Sequence, residues 1–501
     1  MFTNASTTTK RLSLASLASV SGREGTSGPD VDPRALSTGI VHFGVGAFHR
    51  AHQAVYTEDA AAATGETGWG ILGVTGRSAR VAEQLAPQDG LYSVLTKARD
   101  SESLRLVGSI RKVAYPGADS EEVIQTLASE SVHLASLTIT EKGYPRTPDG
   151  DLDTSHAGVV SDIAALRAEL SGRSFAGPAH SPVGLLVRGM ARRYAVSGAP
   201  FAVVCCDNLM SNGQVTRNLV RALADAADAA GMVEWLESSV TFPSTMVDRI
   251  VPATTAANRV EAERILGMRD EGLVVAEPFG QWVIEDDFLG PRPAWERSGA
   301  ILTDDVAPFE IAKLRMLNAT HSLLAYLGAL RGHPTIADAV ADDALVAEAR
   351  SLQRNDVIPT LTSPPGLDLL EYGESILTRF ANPNLAHTTS QVAMDGSQKL
   401  PVRILGTVTD RLAAGQVPHS GALLVAAWML FIYRGRDVNG RPLVLDDPMA
   451  DALQAAAAGS ESGLADRLLA LSAIFPEEVS ANAEFRGAVA AGVRRLLLEV
   501  R

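Results

Sequence analysis

Three polar side chains with complementary chemistry lie within residues 309–324. At about 100° per residue, Lys313, His321 and Asn318 fall at roughly 0°, 80° and 140° around a helix, so they share one face. An amine there can move a proton, while an imidazole and an amide hold the oxygen of a hydroxyl or carbonyl group. The alternative interpretation is a half-buried helix whose lysine extends to water. The spacing alone leaves both interpretations open.

A second candidate site lies near the start of the chain, where an apolar strand at residues 40–43 leads into Gly44-x-Gly46 and a helix-like stretch. This order directs backbone N–H groups and a helix N-terminus at a pyrophosphate. His49 replaces the third glycine of the usual fingerprint, and a bare Gly-x-Gly also occurs in ordinary tight turns. His49 and His52 are spaced like metal ligands, but no further ligand set accompanies them, so we expect no metal.

The longer motifs resemble those of a known family. Lys313-x4-Asn318-x2-His321, the run Gly-x-Gly-x-Phe-His-Arg-Ala-His-Gln at residues 44–53 and the run Met-Asp-Gly-Ser-Gln-Lys-Leu-Pro at residues 394–401 are similar to the polyol-specific long-chain dehydrogenases. This is the family of mannitol 2-dehydrogenase and fructuronate reductase. The similarity extends from residue 40 to about residue 401 and is weaker beyond.

The resemblance implies an α/β fold, with a Rossmann-like N-terminal domain followed by a mostly α-helical C-terminal domain. We expect a flexible Ser/Thr/Gly/Pro-rich segment at residues 1–38, apart from a short helix at residues 12–20, then the Rossmann-like domain at 39–300 and the helical domain at 301–501. After about residue 300, long Ala/Leu-rich stretches replace the short apolar strands. The polar face of residues 309–324 is expected to close onto the carboxyl ends of the N-terminal strands.

The resemblance also assigns catalytic roles. Lys313 is the acid/base, Asn208 and Asn318 donate hydrogen bonds to the developing alkoxide, and His321 orients the adjacent hydroxyl. Without the resemblance, Asn208 would be a turn or cap residue after a buried strand. Glu310 precedes Lys313 by one helical turn, and it either relays protons or forms a surface ion pair.

Four further residues concern the substrate. The mannitol dehydrogenase branch tends to carry glycine at the position of Lys142, where fructuronate reductases carry lysine. The same branch usually carries arginine at the position of Gln391. A carboxylate substrate needs a cation and a neutral polyol does not, although Lys142 is equally well explained as an exposed loop residue. Lys399 is expected to reach the far end of the substrate. Asp248 either lines the active site or pairs with Arg249.

These features predict an oxidoreductase of the fructuronate reductase branch, which interconverts D-fructuronate and D-mannonate. Mannitol 2-dehydrogenase and other polyol or uronate dehydrogenases are the alternatives within the family. A dinucleotide-binding sensor without catalytic activity is the alternative from another class.

The resemblance favours NAD as the cofactor. Five residues are predicted to contact it: Gly44, Gly46, Phe48, Arg50 and Arg77. The second strand ends near Thr75 without the acidic residue that would accept the 2′-OH of NAD. Arg77, Ser78 and Arg80 follow instead and can hold a 2′-phosphate, so NADP stays open. The alternative is that these arginines are simply solvated.

Composition limits the other partners. The formal charge of −14 provides no basic field for nucleic acid, and no Lys/Arg cluster marks a membrane surface. The two cysteines, Cys205 and Cys206, are adjacent and cannot crosslink distant segments, which is typical of a reducing cytoplasm. The longest apolar run, residues 422–433, is too short to span a bilayer. We expect a cytoplasmic enzyme with a small-molecule substrate, as a monomer or weak homo-oligomer.

Overall fold

The apolar runs in the first part of the sequence form β-strands. The computed structural model describes residues 10–500, and the chain separates into two compact units, Met1–Val306 and Ala307–Arg501. Within the described residues, all strands lie in the first unit: β1 (Thr26–Ser27), β2 (Thr38–Phe43), β3 (Gly70–Val74), β4 (Tyr92–Lys97), β5 (Glu102–Val107), β6 (Ile110–Ala114), β7 (Leu134–Leu137), β8 (Phe201–Cys205), β9 (Val240–Thr241), β10 (Thr245–Asp248), β11 (Val274–Ala276), β12 (Gln281–Glu285) and β13 (Ile301–Thr303).

The main sheet has six parallel strands in the order β6-β3-β2-β7-β8-β9. From β2 the chain proceeds outward through β3 to β6, and then returns to build β7, β8 and β9 on the other side of β2. The direction of winding therefore reverses between β2 and β7. In open α/β sheets, ligands bind at the carboxyl ends of the strands next to such a reversal.

Most helices of the N-terminal unit lie against one or the other face of this sheet, whereas the first and the last pack with a smaller sheet. The helices of this unit are α1 (Leu17–Val20), α2 (Ala47–Ala51), α3 (Gln53–Thr64), α4 (Arg80–Leu85), α5 (Pro116–Ala128), α6 (Ala157–Leu170), α7 (Pro182–Val196), α8 (Asn212–Ala226), α9 (Ala230–Ser239) and α10 (Ala256–Leu266). Along β2, Val41 and Phe43 belong to one buried cluster and Ile40 to another. Burial on both faces explains why the parallel strands read as unbroken apolar runs.

Two smaller sheets complete the N-terminal unit, with the orders β1-β5-β4-β11 and β10-β12-β13. Part of the predicted flexible segment packs against the first of them. Leu12, Leu17 and Val20 are buried in a cluster with Leu91 and Leu95. These apolar side chains are removed from water and lie in the stretch where the short helix is predicted, the end of which forms α1. The flexibility of the rest of this segment stays a prediction, and residues 1–9 lie outside the described part of the chain.

The C-terminal unit is built from helices: α11 (Ala307–Ala312), α12 (Ala319–Leu330), α13 (Ile336–Val340), α14 (Asp343–Ser351), α15 (Leu369–Phe380), α16 (Thr389–Ala393), α17 (Gly396–Leu400), α18 (Gly406–Ala413), α19 (His419–Arg434), α20 (Ala450–Ala457), α21 (Leu464–Leu469), α22 (Glu477–Ser480) and α23 (Ala483–Glu499). Three π-helical segments interrupt them at Lys313–Asn318, Leu352–Val357 and Pro401–Leu405. Helix α19, in which all residues from 420 to 432 are buried, corresponds to the longest apolar run of the sequence.

The predicted fold class, a Rossmann-like α/β domain followed by a mostly α-helical part, is confirmed. The predicted domain bounds at residues 39–300 and 301–501 stay predictions. No helix within residues 10–500 is long and apolar enough to cross a membrane.

Candidate active site

The predicted dinucleotide turn lies directly after β2, beside the reversal of the sheet. Gly44 has φ +96°, and a Cβ there would lie 2.0 Å from the carbonyl oxygen of Thr138, in the residue that follows β7. Only glycine permits this approach. Gly46 precedes α2 and is exposed, and the nearest atom to an added Cβ is 3.7 Å away. Gly44 is thus required by the packing of the turn, and Gly46 leaves space for a pyrophosphate to approach the backbone.

A buried histidine lies behind this turn. The Nδ1 of His42 is 2.8 Å from the Ser136 hydroxyl and its Nε2 is 2.9 Å from the Thr138 hydroxyl. The Thr138 hydroxyl donates to the Gly44 carbonyl at 2.8 Å, and the His42 ring stacks on His49 at 3.3 Å. These contacts join β2 to β7 beneath the turn. Sequence reasoning assigned His42 no role, because its partners lie far away in the sequence.

Burial lowers the pKa of His42 from its usual 6.5 to about 3. Between these values the unfolded chain binds a proton that the folded chain does not, so the folded state loses stability as the pH falls below about 6.5. We expect the stability advantage of the wild type over His42→Gln to shrink by up to about 1.4 kcal/mol per pH unit. Urea unfolding at pH 7, 6 and 5 measures this, with the exposed His419→Gln as control. A difference that does not change with pH would contradict the assignment of a neutral His42.

Two other predicted cofactor residues, Arg50 and Phe48, lie on α2 directly after the turn. Arg50 is buried, and it donates from Nε to the Gly46 carbonyl at 3.2 Å and from Nη1 to the Gly272 carbonyl. Its guanidinium also lies over the Tyr92 ring. Two of the five N–H donors of Arg50 therefore support the turn, and its contact with the cofactor stays a prediction. Phe48 is half-buried and stacks on His52 at 5.0 Å.

Arg77 lies in the exposed loop that follows β3, with Ser78 and Arg80 also exposed. This loop leaves the carboxyl end of the strand next to β2. Its position is that expected of a residue beside the adenosine ribose of a dinucleotide. Arg77 therefore stays a candidate for cofactor binding. Within residues 10–500, no group of three or more His, Cys, Asp or Glu side chains is arranged to hold a metal ion.

Asn208 follows β8 and is exposed at the carboxyl edge of the main sheet. The side chain of Asn212 secures the backbone next to it. The Asn212 amide donates to the carbonyls of Asp207 at 3.0 Å and Thr245 at 2.9 Å, and its oxygen accepts from the Thr245 N–H at 2.9 Å. Thr245 begins β10, and the predicted substrate residue Asp248 ends this strand and is buried. Asn212 thus ties the segment carrying Asn208 to the strand carrying Asp248.

Lys142 lies on a one-turn 3-10 helix, Glu141–Gly143, shortly after β7. Both Glu141 and Lys142 are exposed, so this lysine is available to a ligand at the same edge of the sheet. The preceding residue, Thr140, has φ +63° and ψ 159°. Backbone conformations of this kind cost about 1–3 kcal/mol and cluster at functional sites.

The segment of the C-terminal unit that carries Lys313, Asn318 and His321 is a continuous helix, but it is not α-helical throughout. A π-helical segment, Lys313–Asn318, joins α11 to α12. In a π-helix residue i pairs with residue i+5, so Lys313 and Asn318 are stacked on successive turns. The angle of about 140° expected from regular α-helical geometry is therefore wrong. The π-helical geometry keeps Lys313 and Asn318 on one face of the helix, and Lys313, Asn318 and His321 are all half-buried.

His321 has an apolar and cationic surrounding that sequence reasoning did not predict. Its ring stacks on Phe380 at 4.6 Å and lies 5.7 Å from the His387 ring. Burial, followed by the charge of Arg403, lowers the pKa of His321 well below its usual value. Arg403 donates to the Ser322 hydroxyl at 2.9 Å. The Nε2 of His321 is buried and has no hydrogen-bond partner among residues 10–500, so a neutral imidazole with spare hydrogen-bonding capacity stands beside Asn318.

The remaining predicted residues are partly accounted for by local structure. Glu310 is half-buried on α11. The Nζ of Lys399 is 3.4 Å from the Val392 carbonyl and 3.8 Å from the Asp395 carboxylate, one turn away. Gln391 forms a capping box with Thr388 at the start of α16. This role gives Gln391 a structural explanation, which weakens its value as evidence for a particular substrate.

Two family models match the chain, one for each part. The model described as the mannitol dehydrogenase Rossmann domain matches residues 38–297, and the mannitol dehydrogenase C-terminal domain matches residues 305–497. The chain belongs to the mannitol dehydrogenase family. The predictions of the family and of an oxidoreductase are thereby confirmed.

Relatives within the family differ in the substrates for which they are named. The chain is 40% identical to D-mannonate oxidoreductase of Escherichia coli over 93% of its length and 95% of that protein. It is 38% identical to mannitol 2-dehydrogenase of Cereibacter sphaeroides over 85% of its length and 87% of that protein. Pseudomonas fluorescens mannitol 2-dehydrogenase, solved in a ternary complex with NAD and D-mannitol, matches with a TM-score of 0.82 and 34% identity, covering 98% of this chain and 97% of that one.

The predicted cofactor, NAD, agrees with the nucleotide in the Pseudomonas complex. The individual roles assigned to Lys313, Asn208, Asn318, His321 and Asp248 stay predictions. The similarity to both mannonate and mannitol enzymes leaves the substrate to be decided by the residues themselves.

Proposed function

We propose that this member of the mannitol dehydrogenase family is an NAD-dependent enzyme that interconverts D-fructuronate and D-mannonate. The observation that carries the chemical part is the π-helical segment, which stacks Lys313 and Asn318 on one face, with the neutral ring of His321 one turn further on. Similarity to the Escherichia coli D-mannonate oxidoreductase and the exposed Lys142 support the sugar-acid substrate.

The residues present fit a dinucleotide. NAD, when bound, would accept or supply the hydride. Gly44 and Gly46 would let the backbone approach its pyrophosphate at the reversal of the sheet, and Arg77 would lie near the ribose. The absence of an acidic residue after β3 keeps NADP as the alternative cofactor.

Lys313 is the acid/base. In reduction it gives a proton to the carbonyl oxygen of the sugar acid, and in oxidation its neutral amine takes the hydroxyl proton. Asn208 and Asn318 donate hydrogen bonds to the oxygen on which negative charge develops, where preorganised donors help most. His321, neutral and with a buried unpartnered nitrogen among the described residues, holds the adjacent hydroxyl. Glu310 passes protons between Lys313 and water.

The carboxylate of the substrate is bound by Lys142, with Lys399 and Asp248 contacting the rest of the sugar. A hydrogen bond that involves a charged group contributes about 1.5–3 kcal/mol. Lys142→Gly should therefore raise KM for fructuronate at least ~10-fold and leave KM for the neutral ketose fructose nearly unchanged. Steady-state kinetics with both substrates measures this, and Lys142→Arg, which keeps the charge, should recover most of the affinity for fructuronate. Equal effects of Lys142→Gly on both substrates would remove the argument for a uronate.

The proposed function is tested by assaying the purified protein with NADH and with NADPH against fructuronate, tagaturonate and fructose. We expect NADH oxidation to be fastest with fructuronate. Preference for fructose would favour mannitol 2-dehydrogenase activity instead. Binding of NADH without its oxidation by any of the three would favour the dinucleotide-binding sensor.

A further inference from the structure

Thr140 has a backbone conformation that its side chain disfavours. With φ +63° and ψ 159°, it lies in a region used almost only by glycine, because a Cβ crowds the backbone there. A β-branched residue tolerates such a conformation least. The surrounding structure must therefore hold Thr140 in place.

The side chain that holds it is the buried carboxylate of Asp207. This carboxylate accepts hydrogen bonds from the N–H of Thr140 at 2.8 Å and from the N–H of Ile139 at 3.0 Å. A third hydrogen bond comes from the hydroxyl of Tyr144 at 2.7 Å. Asp207 thus binds the strained residue, the residue before it, and the tyrosine that follows the turn.

The same three hydrogen bonds connect the segments that carry two candidate site residues, Lys142 and Asn208. The turn held by Asp207 carries Lys142, and the Gly143 N–H closes it by donating to the Thr140 carbonyl at 2.8 Å. Asp207 itself directly precedes Asn208. Tyr144 is buried, and its hydroxyl lies 2.9 Å from the sulfur of Cys205 at the end of β8. One carboxylate therefore links the segment after β7 to the segment after β8.

We propose that Asp207 is a positioning residue that keeps Thr140 in its strained conformation and thereby fixes Lys142 relative to Asn208. The proposal rests on the proposed function, which assigns Lys142 and Asn208 to the substrate. When Asp207 loses an acceptor oxygen, Thr140 relaxes toward a negative φ and the turn directs Lys142 elsewhere. Selectivity for a carboxylate substrate then falls, whereas the dinucleotide turn at Gly44 is unaffected.

Asp207→Asn tests this with little change in size. An asparagine keeps one acceptor oxygen and places an NH2 group against the other backbone N–H. We expect the ratio of kcat/KM for fructuronate to that for fructose to fall at least ~10-fold, the effect of losing one hydrogen bond to a charged group. The Kd of NADH should stay within experimental error. An unchanged ratio would overturn the proposal, because a general structural role would lower kcat/KM for both substrates by the same factor.

Glycine at the strained position provides a rescue experiment. Thr140→Gly in the Asp207→Asn background should restore most of the lost selectivity, because glycine adopts φ +63° without strain. Thr154→Gly in the same background is the matched control, since Thr154 lies in the same loop and does not have a positive φ. Equal rescue by both glycines, or rescue by neither, would contradict a role of strain at Thr140.

A second readout needs no substrate and separates this proposal from the proposed function. Amide hydrogen exchange at residues 139 and 140 should accelerate in Asp207→Asn. It should accelerate more weakly in Tyr144→Phe, which removes only a hydroxyl. The second variant provides the test if the first does not fold. Unchanged exchange in these variants overturns the positioning role even when the wild type reduces fructuronate. If the wild type reduces no substrate, the proposed function is wrong. Accelerated exchange in the variants would still show that the Asp207 carboxylate stabilises the conformation of Thr140.

Discussion

Lys313→Ala is expected to lower kcat at least ~10²-fold, which is the lower end of the contribution of general acid–base catalysis. Without the amine, the proposed donor of the proton to the carbonyl oxygen is lost. The Kd of NADH should change little, because the predicted cofactor residues Gly44, Gly46 and Arg77 belong to the other unit. Stopped-flow kinetics and fluorescence titration measure the two quantities.

A matched control lies on the same π-helical segment. Arg315 donates to the Thr360 hydroxyl at 2.9 Å and pairs with Asp410 at 2.5 Å. Arg315→Ala should lower the thermal stability of the segment while keeping kcat within a few-fold of the wild type. A kcat for Lys313→Ala that is close to that of Arg315→Ala would contradict the role of Lys313 as acid/base.

Asn208→Ala is expected to lower kcat by ~10²–10³-fold, the usual effect of removing one donor to a developing oxyanion. The ground-state carbonyl carries less negative charge than the alkoxide, so KM should change much less than kcat. Asn318→Ala should have an effect of similar size, because both amides are proposed to donate to the same oxygen.

Asn218→Ala is a suitable control for the first of these variants. Asn218 is exposed on α8 and accepts from the Gln214 amide at 2.6 Å, so its loss should leave turnover at the wild-type level. Turnover of Asn208→Ala within a few-fold of this control would remove Asn208 from the catalytic residues. If Asn208→Ala lost activity and also had a much lower melting temperature than the wild type, the effect would be structural instead.

Patterns within short stretches of sequence predicted much of the fold. The strands around residues 40–43, 70–74 and 201–205 are buried on both faces, so their apolar runs were sufficient. Gly44 was predicted correctly as a turn residue, but the reason that it must be glycine, the carbonyl of Thr138, comes from another strand. The Ala/Leu-rich stretch at residues 420–434 likewise corresponds to α19.

Features that depend on distant partners escaped sequence reasoning. The π-helical segment at Lys313–Asn318 has the same apolar pattern as a regular helix, so the phase of its side chains was misplaced. The fingerprint shows that a cation is present at Arg50, but not that this side chain also donates to the carbonyls of Gly46 and Gly272. Sequence reasoning assigned Asp207 no role, since its partners Ile139 and Thr140 follow a different strand, β7.

The most direct measurement of the central claim is isotope transfer from deuterated NADH. Reduction of fructuronate with NADH that carries deuterium at both C4 positions of the nicotinamide should give mannonate with one deuterium on the former carbonyl carbon, detected by NMR. Lys313→Ala should form this product at least ~10²-fold more slowly. Mannonate without deuterium, or equally fast deuterium transfer by Lys313→Ala, would contradict a hydride transfer assisted by Lys313.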